Sequence, residues 1–547
     1  MLKENKLLIG KNGDKELNLL LDKANRHGLI TGASGSGKTI TLKVMAESFS
    51  SAGVPVFLAD VKGDLAGTAC MGEDSESLAK RVEKLGLTEE WSYEQFPVHF
   101  WDLYGMNGHP IRTTVESVGP EILSMMLGLS EAQEGNLAIA FKIAEDEGLK
   151  LIDLKDLRSV LQYVAENKNN YTLKYGNITS QSVGVIQRSL LTLENQGADN
   201  FFGEPALDIK DFIMMDNATG KGFINILHAV ELFQSPDLYA SFLLWLLTSL
   251  YSTLPEVGDL DKPKIVFFFD EAHLLFNALP AYRLKQITQV VKLIRSRGIG
   301  LYFISQGPTD IPDEILAQLG NRVQHTLRAY TPTEQKNVKA AANAFRTNPE
   351  FNTEEAILAL GTGEALISFQ NEKGEPEVVE KATILPPQSK MGTIDDMTRN
   401  KIINNSVLCG KYDERVENDS AFEAVSKAQE EKAAKEEEER LAKEAEKQAA
   451  LEEKQRIAEE KAAEKLRKEE ERKEKEEQRA AEKAAKEAER ERKNDPLYKL
   501  GNKVKNKAEN KIINQGLNAL LKGLGSGLGK LLSGEKDSSS SSKSKKV

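Results

Sequence analysis

The residues best suited to chemistry form a glycine-rich segment near the start of the chain. They are Gly32, Ala33, Ser34, Gly35, Ser36, Gly37, Lys38 and Thr39. The glycines let backbone N–H groups wrap a triphosphate, because a residue without a side chain adopts the required dihedral angles and lets phosphate approach closely. Lys38 can reach the β- and γ-phosphates, and the Thr39 hydroxyl can ligate Mg²⁺. The spacing therefore predicts a P-loop that binds ATP with Mg²⁺.

A second segment supplies the acids that such a site needs. Five apolar residues, 265–269, predict a buried strand, and Asp270 and Glu271 follow it directly. Asp270 would hold Mg²⁺ through water, and Glu271 would orient and deprotonate the attacking water. The alternative is that this segment is an ordinary buried strand with acids at its end. That alternative is less favoured because the chain already carries a P-loop. The pair therefore predicts ATP hydrolysis.

Hydrolysis also needs a group that senses the γ-phosphate and a cation that neutralises charge in the transition state. Gln306 follows a predicted strand at 300–305, and its amide could hydrogen-bond the γ-phosphate or the attacking water; a solvated loop glutamine is the alternative. Arg322 is the preferred candidate for an arginine finger that reaches a neighbouring subunit's nucleotide. Arg295 and Arg297 are the other candidates, and each of the three could instead be a surface or salt-bridged arginine.

Other polar residues are expected near the same sheet edge. Lys62 and Asp64 follow a predicted strand at 54–60, at the end where ligands bind in such folds, whereas Asp60 could be only a strand terminator. The six histidines show no ligand spacing, so no structural zinc is expected. His273 is interpreted as a residue that supports the acids or couples subunits.

A parallel sheet is required to bring these residues together. The strand at 28–31, the helix at 38–50 and the strand at 54–60 form a βαβ unit by their apolar spacing. Helical spacing from 111 to 220 predicts a mostly helical insertion into an α/β P-loop core. The remaining predicted elements are strands at 222–227, 264–270, 300–305, 321–327 and 364–369 and helices at 236–251 and 281–297.

The C-terminal part differs in composition from the rest of the chain. Between Phe422 and Asp495 there is no glycine, proline or aromatic residue, and opposite charges recur at helical spacing, which predicts one charged helix about 110 Å long. Its apolar residues are too sparse for a sustained coiled-coil seam, so we interpret it as a solvated rod or spacer. Residues 496–547 comprise an amphipathic basic segment, suited to a membrane surface or a protein partner, and a compositionally disordered end.

Composition bounds the remaining possibilities. The predicted domains are 1–110 and 221–390 for the two parts of the ATPase core, 111–220 for the insertion, 391–421 for a linker, 422–495 for the rod and 496–547 for the tail. Cys70 and Cys409 are too few for a disulfide framework, and the chain shows neither a signal peptide nor a membrane-spanning run, which indicates the cytoplasm. A net charge of -11 disfavours coating of nucleic acid by bulk electrostatics but permits a local basic surface.

Four segments together resemble a known family. They are NRHGLITGASGSGKT at 25–39, DVKGDL at 60–65, DEAH at 270–273 and SQGPTDIP at 305–312. Their order is similar to that of bacterial HerA-like ATPases, and more narrowly to the YjgR-type branch, over roughly residues 5–390. Only 31 residues precede the P-loop, so we expect no N-terminal barrel of the HerA kind.

The resemblance implies a RecA-like core, a homohexameric ring and ATP-driven movement of double-stranded DNA through its pore. It assigns phosphate and magnesium binding to Lys38 and Thr39, the metal-binding acid and catalytic base to Asp270 and Glu271, and the polar sensor to Gln306. Two hypotheses follow from the sequence: a hexameric DNA motor, and an ATP-gated scaffold whose charged rod presents the tail to a membrane or protein partner.

Overall fold

The apolar runs of the sequence form the strands of one sheet. The computed structural model describes residues 1–258, 260–277 and 281–494, and its thirteen-stranded sheet lies within that part of the chain. The strands are β1 (Leu2–Lys3), β2 (Lys6–Asn12), β3 (Lys15–Leu20), β4 (Gly28–Thr31), β5 (Val56–Asp60), β6 (Val98–Asp102), β7 (His109–Pro110), β8 (Ile224–His228), β9 (Ile265–Phe269), β10 (Ile299–Ser305), β11 (Asn321–Gln324), β12 (Glu364–Ser368) and β13 (Glu380–Ile384).

Helices connect these strands or extend beyond them. They are α1 (Lys38–Ser51), α2 (Glu76–Lys84), α3 (Val115–Met126), α4 (Glu131–Glu147), α5 (Leu154–Glu166), α6 (Lys168–Tyr175), α7 (Ser180–Asn195), α8 (Pro236–Thr253), α9 (His273–Asn277), α10 (Ala281–Ile294), α11 (Asp313–Leu316), α12 (Pro332–Asn343), α13 (Thr353–Ala359), α14 (Asp396–Asn404) and α15 (Ala421–Asn494). The α/β fold class is confirmed.

The sheet has a parallel part and an antiparallel edge. Its parallel part runs in the order β11, β4, β10, β9, β5, β8, β6, β7, and β12, β13, β2, β3 and β1 extend it in antiparallel fashion beyond β11. In register, Ile30 of β4 lies between Ile304 of β10 and Val323 of β11. Because parallel strands end on the same side, the residues after β4, β5, β9 and β10 meet at one edge.

Both faces of the parallel strands are covered, which explains their unalternating apolar sequences. On one face Phe49 of α1 packs against Phe268 and Tyr302, whose rings are stacked 5.1 Å apart. On the other face Phe57 and Phe267 belong to a core that includes α8 and α10. The sheet is therefore the middle layer of three.

The region between β7 and β8 is helical, as its apolar spacing predicts. Helices α3 to α7 occupy it, and a short 3-10 helix at Ile209–Ile213 leads towards β8. Helix α3 is kinked at Gly119, whose φ is 74°, next to Pro120. The predicted boundaries of 111 and 220 stay predictions, since no independent unit is separated there.

The predicted linker at 391–421 packs against the part of the chain that contains the sheet. Arg399 of α14 is buried, with its guanidinium 4.8 Å from the centre of the Phe100 ring. Tyr412 is also buried and its hydroxyl donates to the Asp211 carboxylate. These contacts make the segment part of the first compact unit, which spans Met1–Ala433.

The second compact unit begins at Ala434, within α15. Helix α15 is continuous over 74 residues, as the charge spacing predicts, and from 434 to 492 every side chain is exposed. The amphipathic segment predicted at 496–547 lies outside the described residues. Over the residues that are described, no helix combines the length and the apolar character needed to cross a membrane.

Candidate nucleotide-binding site

The P-loop connects β4 to α1 at the shared edge of the sheet. Gly32 has a φ of 155° and Gly37 a φ of 113°, conformations that L side chains rarely adopt. A Cβ at Gly32 would also lie 2.5 Å from the Cβ of His325. The loop therefore requires glycine at Gly32 for its backbone angle and for the close approach of β11.

Lys38 is the first residue of α1, and its side chain extends over the P-loop. Its Nζ donates to the carbonyl of Gly32 at 2.5 Å and to that of Ala33 at 3.2 Å. Burial lowers the pKa of Lys38, while Asp270 and Glu271 act in the opposite direction. The ammonium is thus held close to both the loop and the acids.

The remaining polar groups of the loop fit a triphosphate with its cation. The Ser36 hydroxyl is buried and, within the described part of the chain, has no hydrogen-bond partner. Thr39 follows Lys38 in the first turn of α1, where unpaired N–H groups and the helix dipole favour an anion. The loop thus offers an unsatisfied hydroxyl and helix N–H groups to phosphate, and the Thr39 hydroxyl to a hard cation.

Asp270 and Glu271 lie after β9, on the same edge. Asp270 is 9% exposed, and its Oδ1 accepts the Glu271 N–H at 2.9 Å. The pKa of Asp270 is raised to about 6, mainly by burial; Lys62 opposes this shift and Glu271 contributes to it. A cation bound beside Asp270 would offset this burial of charge, so the residue suits a metal ligand.

Glu271 has an unusual backbone conformation and an incompletely paired carboxylate. Its φ is 49°, in the left-handed region that costs about 1–3 kcal/mol for such residues. Oε1 lies 3.7 Å from Lys62 Nζ and Oε2 lies 3.5 Å from His273 Nδ1. Oε2 is buried, and the described residues offer it no hydrogen-bond partner. The carboxylate therefore retains a lone pair for a proton.

Asp60 organises the loop that carries Lys62. Its carboxylate accepts the N–H groups of Gly63, Asp64 and Leu65 at 2.7, 3.1 and 3.0 Å. The residue therefore does more than end β5, because these bonds fix the turn from which Lys62 reaches Glu271.

Gln306 lies between the P-loop and the acids, because β10 is sandwiched between β4 and β9. Its exposed side chain lines a cavity of about 440 Å³ that Ala33 and Ser34 border on the P-loop side. His273 and Arg328 line the same cavity. The structure thus brings the predicted sensor to the nucleotide site.

Arg322, the preferred candidate for a finger, is hydrogen-bonded within its own chain. Its guanidinium donates to the carbonyls of Leu316, Leu319 and Ala344 at 3.1, 3.1 and 2.8 Å. These three bonds do not favour an extension to a neighbouring subunit, and the role of Arg322 as a finger stays a prediction. Its position in β11 places it inside the sheet, not beyond the strand end.

The other two arginines follow α10 in a 3-10 helix, Arg295–Arg297. The guanidinium of Arg297 donates to the Leu254 carbonyl and lies 4.6 Å from the centre of the Tyr251 ring. Arg297 is thus engaged in packing, whereas the role of Arg295 as a finger stays a prediction.

His325 was not identified from the sequence, although it lies against the P-loop at Gly32. Its Nε2 accepts the Thr41 hydroxyl at 2.8 Å and its Nδ1 donates to the Glu364 carbonyl at 3.0 Å. Burial lowers the pKa of His325 to about 4, so the ring is neutral. A lone histidine after a short and mostly polar strand gives no local signal of this role.

A family model described as the helicase HerA-like C-terminal domain matches residues 5–505. The chain belongs to this family. The narrower assignment to the YjgR-type branch stays a prediction.

Two archaeal proteins named DNA double-strand break repair helicase HerA are similar to this HerA-like chain. That of Saccharolobus solfataricus is 24% identical over 373 residues, which cover 66% of this chain and 64% of that protein. That of Sulfurisphaera tokodaii is 21% identical over 382 residues, or 66% of this chain and 67% of that protein. The chain thus spans less than two thirds of the first relative.

Two of the solved structures that are similar to this chain are those of VirB4 and of a plasmid coupling protein. VirB4 of Thermoanaerobacter pseudethanolicus aligns at 15% identity with a TM-score of 0.45, over 70% of this chain and 97% of that chain. The plasmid coupling protein TrwB with ADP and Mg²⁺ aligns at 13% identity with a TM-score of 0.44, over 71% of this chain and 99% of that chain.

Proposed function

We propose that this HerA-like chain is a Mg²⁺-dependent ATPase. The observation that carries the proposal is the meeting of the P-loop, Asp270, Glu271 and Gln306 at one edge of the parallel sheet. Family membership supports the same activity. The unsatisfied Ser36 hydroxyl and the unpaired Glu271 Oε2 are groups that a nucleotide and its attacking water would engage.

Each residue has a distinct proposed role. Lys38 exchanges its loop carbonyls for the β- and γ-phosphates, and the P-loop N–H groups bind the remaining oxygens. Thr39 and Asp270 would hold Mg²⁺, which neutralises charge on the phosphate oxygens. Glu271 accepts the proton of the attacking water, and the Gln306 amide hydrogen-bonds that water or the γ-phosphate.

We further propose that the chain assembles as a cytoplasmic homohexameric ring that translocates or remodels double-stranded DNA. The family and the two relatives named as DNA repair helicases support this. The net charge of -11 requires that any DNA path be a local surface, because the whole molecule repels phosphate.

The decisive experiment measures ATPase rate and oligomeric mass with and without duplex DNA across a salt series. We expect DNA to stimulate turnover, and the stimulation to weaken with salt because phosphate contacts release counterions. Lys38→Ala and Glu271→Gln should each lower kcat by about 100-fold or more, whereas Arg188→Ala, on the exposed face of α7, should not. Turnover indifferent to any nucleic acid would refute the DNA motor.

The exposed helix favours a second candidate function. Its side chains from 434 to 492 contact nothing that would bury them, which suits a spacer that carries a tail to a membrane or protein partner. In this ATP-gated scaffold, nucleotide controls assembly. Removing residues 434–547 should leave motor turnover nearly unchanged, but it should abolish localisation or partner binding by the scaffold.

A further inference from the structure

A cationic side chain that belongs to none of the sequence motifs lines the cavity beside the P-loop. Arg328 lines it together with Ala33 and Ser34 of the P-loop. The Ala33 N–H donates to the Thr326 carbonyl at 2.9 Å, which fixes the P-loop to the segment that carries Arg328. Arg328 is therefore two residues from a direct backbone link to the phosphate-binding loop.

The acids that line the cavity are already used by their own loops. Asp310 accepts the Ser305 hydroxyl at 2.6 Å and the Gly307 N–H at 2.8 Å. Glu334 accepts the N–H groups of Tyr330 and Thr331 at 2.9 and 2.8 Å, as part of the capping box of α12 with Thr331. Neither carboxylate forms an ion pair with a cation of the described chain.

Arg328 differs from Arg322 in this respect. Its side chain is exposed, and within residues 1–258, 260–277 and 281–494 its guanidinium has neither a hydrogen bond nor an ion pair. A guanidinium offers five N–H donors in a planar fork that matches phosphate oxygens. The ligand that best matches the Arg328 guanidinium in this cavity is an anion with several oxygens.

The cavity lies at the end of the P-loop that faces the acids. His273, which lines it, is 3.5 Å from the Glu271 carboxylate, and Gln306 comes from the strand between the P-loop and β9. This is the side on which hydrolysis would take place, so a terminal phosphate fits it better than a base or a ribose.

We propose that Arg328 binds the terminal phosphate of a nucleoside triphosphate held by the P-loop of the same chain. The inference deepens the proposed ATPase function and rests on its nucleotide-binding part. Arg328 distinguishes a triphosphate from a diphosphate, because only the triphosphate places a charged group in this cavity.

The test compares binding of a non-hydrolysable ATP analogue and of ADP, each with Mg²⁺, to the full chain by calorimetry. Arg328→Ala should weaken binding of the analogue about 10-fold or more and change ADP binding less than about 2-fold. Arg328→Lys, which keeps the charge without the fork, should recover part of the loss. Arg188→Ala, an exposed arginine on α7, is the matched control and should change neither affinity.

Two results would overturn the proposal: unchanged affinity for the analogue in Arg328→Ala, or equal weakening for the analogue and ADP. Unfolding temperature, measured alongside, identifies a damaged fold, and Arg328→Lys then provides the deciding comparison. Failure of the ATPase proposal would be distinguishable from failure of the Arg328 proposal. It would appear as ATP hydrolysis that persists in Lys38→Ala, independently of any substitution at Arg328.

Discussion

Neutral, buried His325 makes the nucleotide-site region sensitive to acid. The pKa of His325 falls from 6.5 to about 4 because burial disfavours the charged ring. The unfolded chain therefore takes up a proton near pH 6.5 that the native state takes up only near pH 4. Stability from this group is present above pH 6.5 and is lost as pH falls towards 4.

The size of the effect follows from these two pKa values. For one such histidine the free energy of unfolding falls by about 1.8 kcal/mol between pH 7 and pH 5, and by about 3.4 kcal/mol in total. Burial likewise lowers the pKa of His27 and of His99 to about 4. The wild type should therefore lose about 5 kcal/mol from the three residues over the same two pH units.

His325→Gln isolates one part of this loss. An amide can still donate to Glu364 and accept from Thr41, so the variant keeps both hydrogen-bond directions but cannot titrate. Urea unfolding followed by tryptophan fluorescence reports the first compact unit alone, because Trp91, Trp101 and Trp245 all lie within it.

The comparison uses the pH dependence and not the absolute stability, since the new side chain also changes packing. We expect the variant to lose about 1.8 kcal/mol less than the wild type between pH 7 and pH 5. His228→Gln, beside Glu231 in a partly exposed position, is the matched control for a histidine-to-glutamine exchange. Equal losses in His325→Gln and the wild type would refute a buried neutral ring.

Three further predictions concern the loop, the acids and the tail. Gly32→Ala should lower the unfolding free energy by about 1–3 kcal/mol in urea titrations, because its Cβ overlaps the neighbouring strand. Lys62→Ala should shift the acidic limb of the kcat/KM profile to higher pH, because Lys62 lowers the pKa of Asp270, while stability changes by less than about 1 kcal/mol. Removing 434–547 should leave the midpoint of urea unfolding unchanged, whereas removing 422–547 should cost about 2–3 kcal/mol through lost burial and a lost hydrogen bond to α5.

The buried parallel strands were predictable from the sequence because each is a continuous apolar run. The strand predicted at 28–31 matches β4, and the one predicted at 300–305 is β10 without its first residue. Of the antiparallel part, the strand predicted at 364–369 corresponds to β12, whereas β1, β2, β3 and β13 were missed. Strands β2 and β13 pair across more than 350 residues of sequence, as Thr383 with Lys11. No local pattern encodes such a partner.

The reactive groups were also predictable where chemistry restricts the residue type. Phosphate binding requires small residues, a lysine and a hydroxyl at fixed spacing, and metal binding requires an acid after a strand, so the P-loop and Asp270 stand out in the sequence. His325 and Arg328 gave no such signal, because their importance depends on which strand lies beside β4.

The hydrogen bonds of Arg322 have a physical basis in the ends of helices. Its three acceptors are carbonyls at or just after the C-terminal ends of α11 and α12, where carbonyls lack helical partners and the dipole favours a cation. An arginine in a strand next to two such helix ends can therefore stabilise both helices. Arg328, six residues later and beyond the strand, has left that environment and faces the nucleotide cavity. Position relative to the strand end, and not the presence of an arginine, separates a structural guanidinium from one available to phosphate.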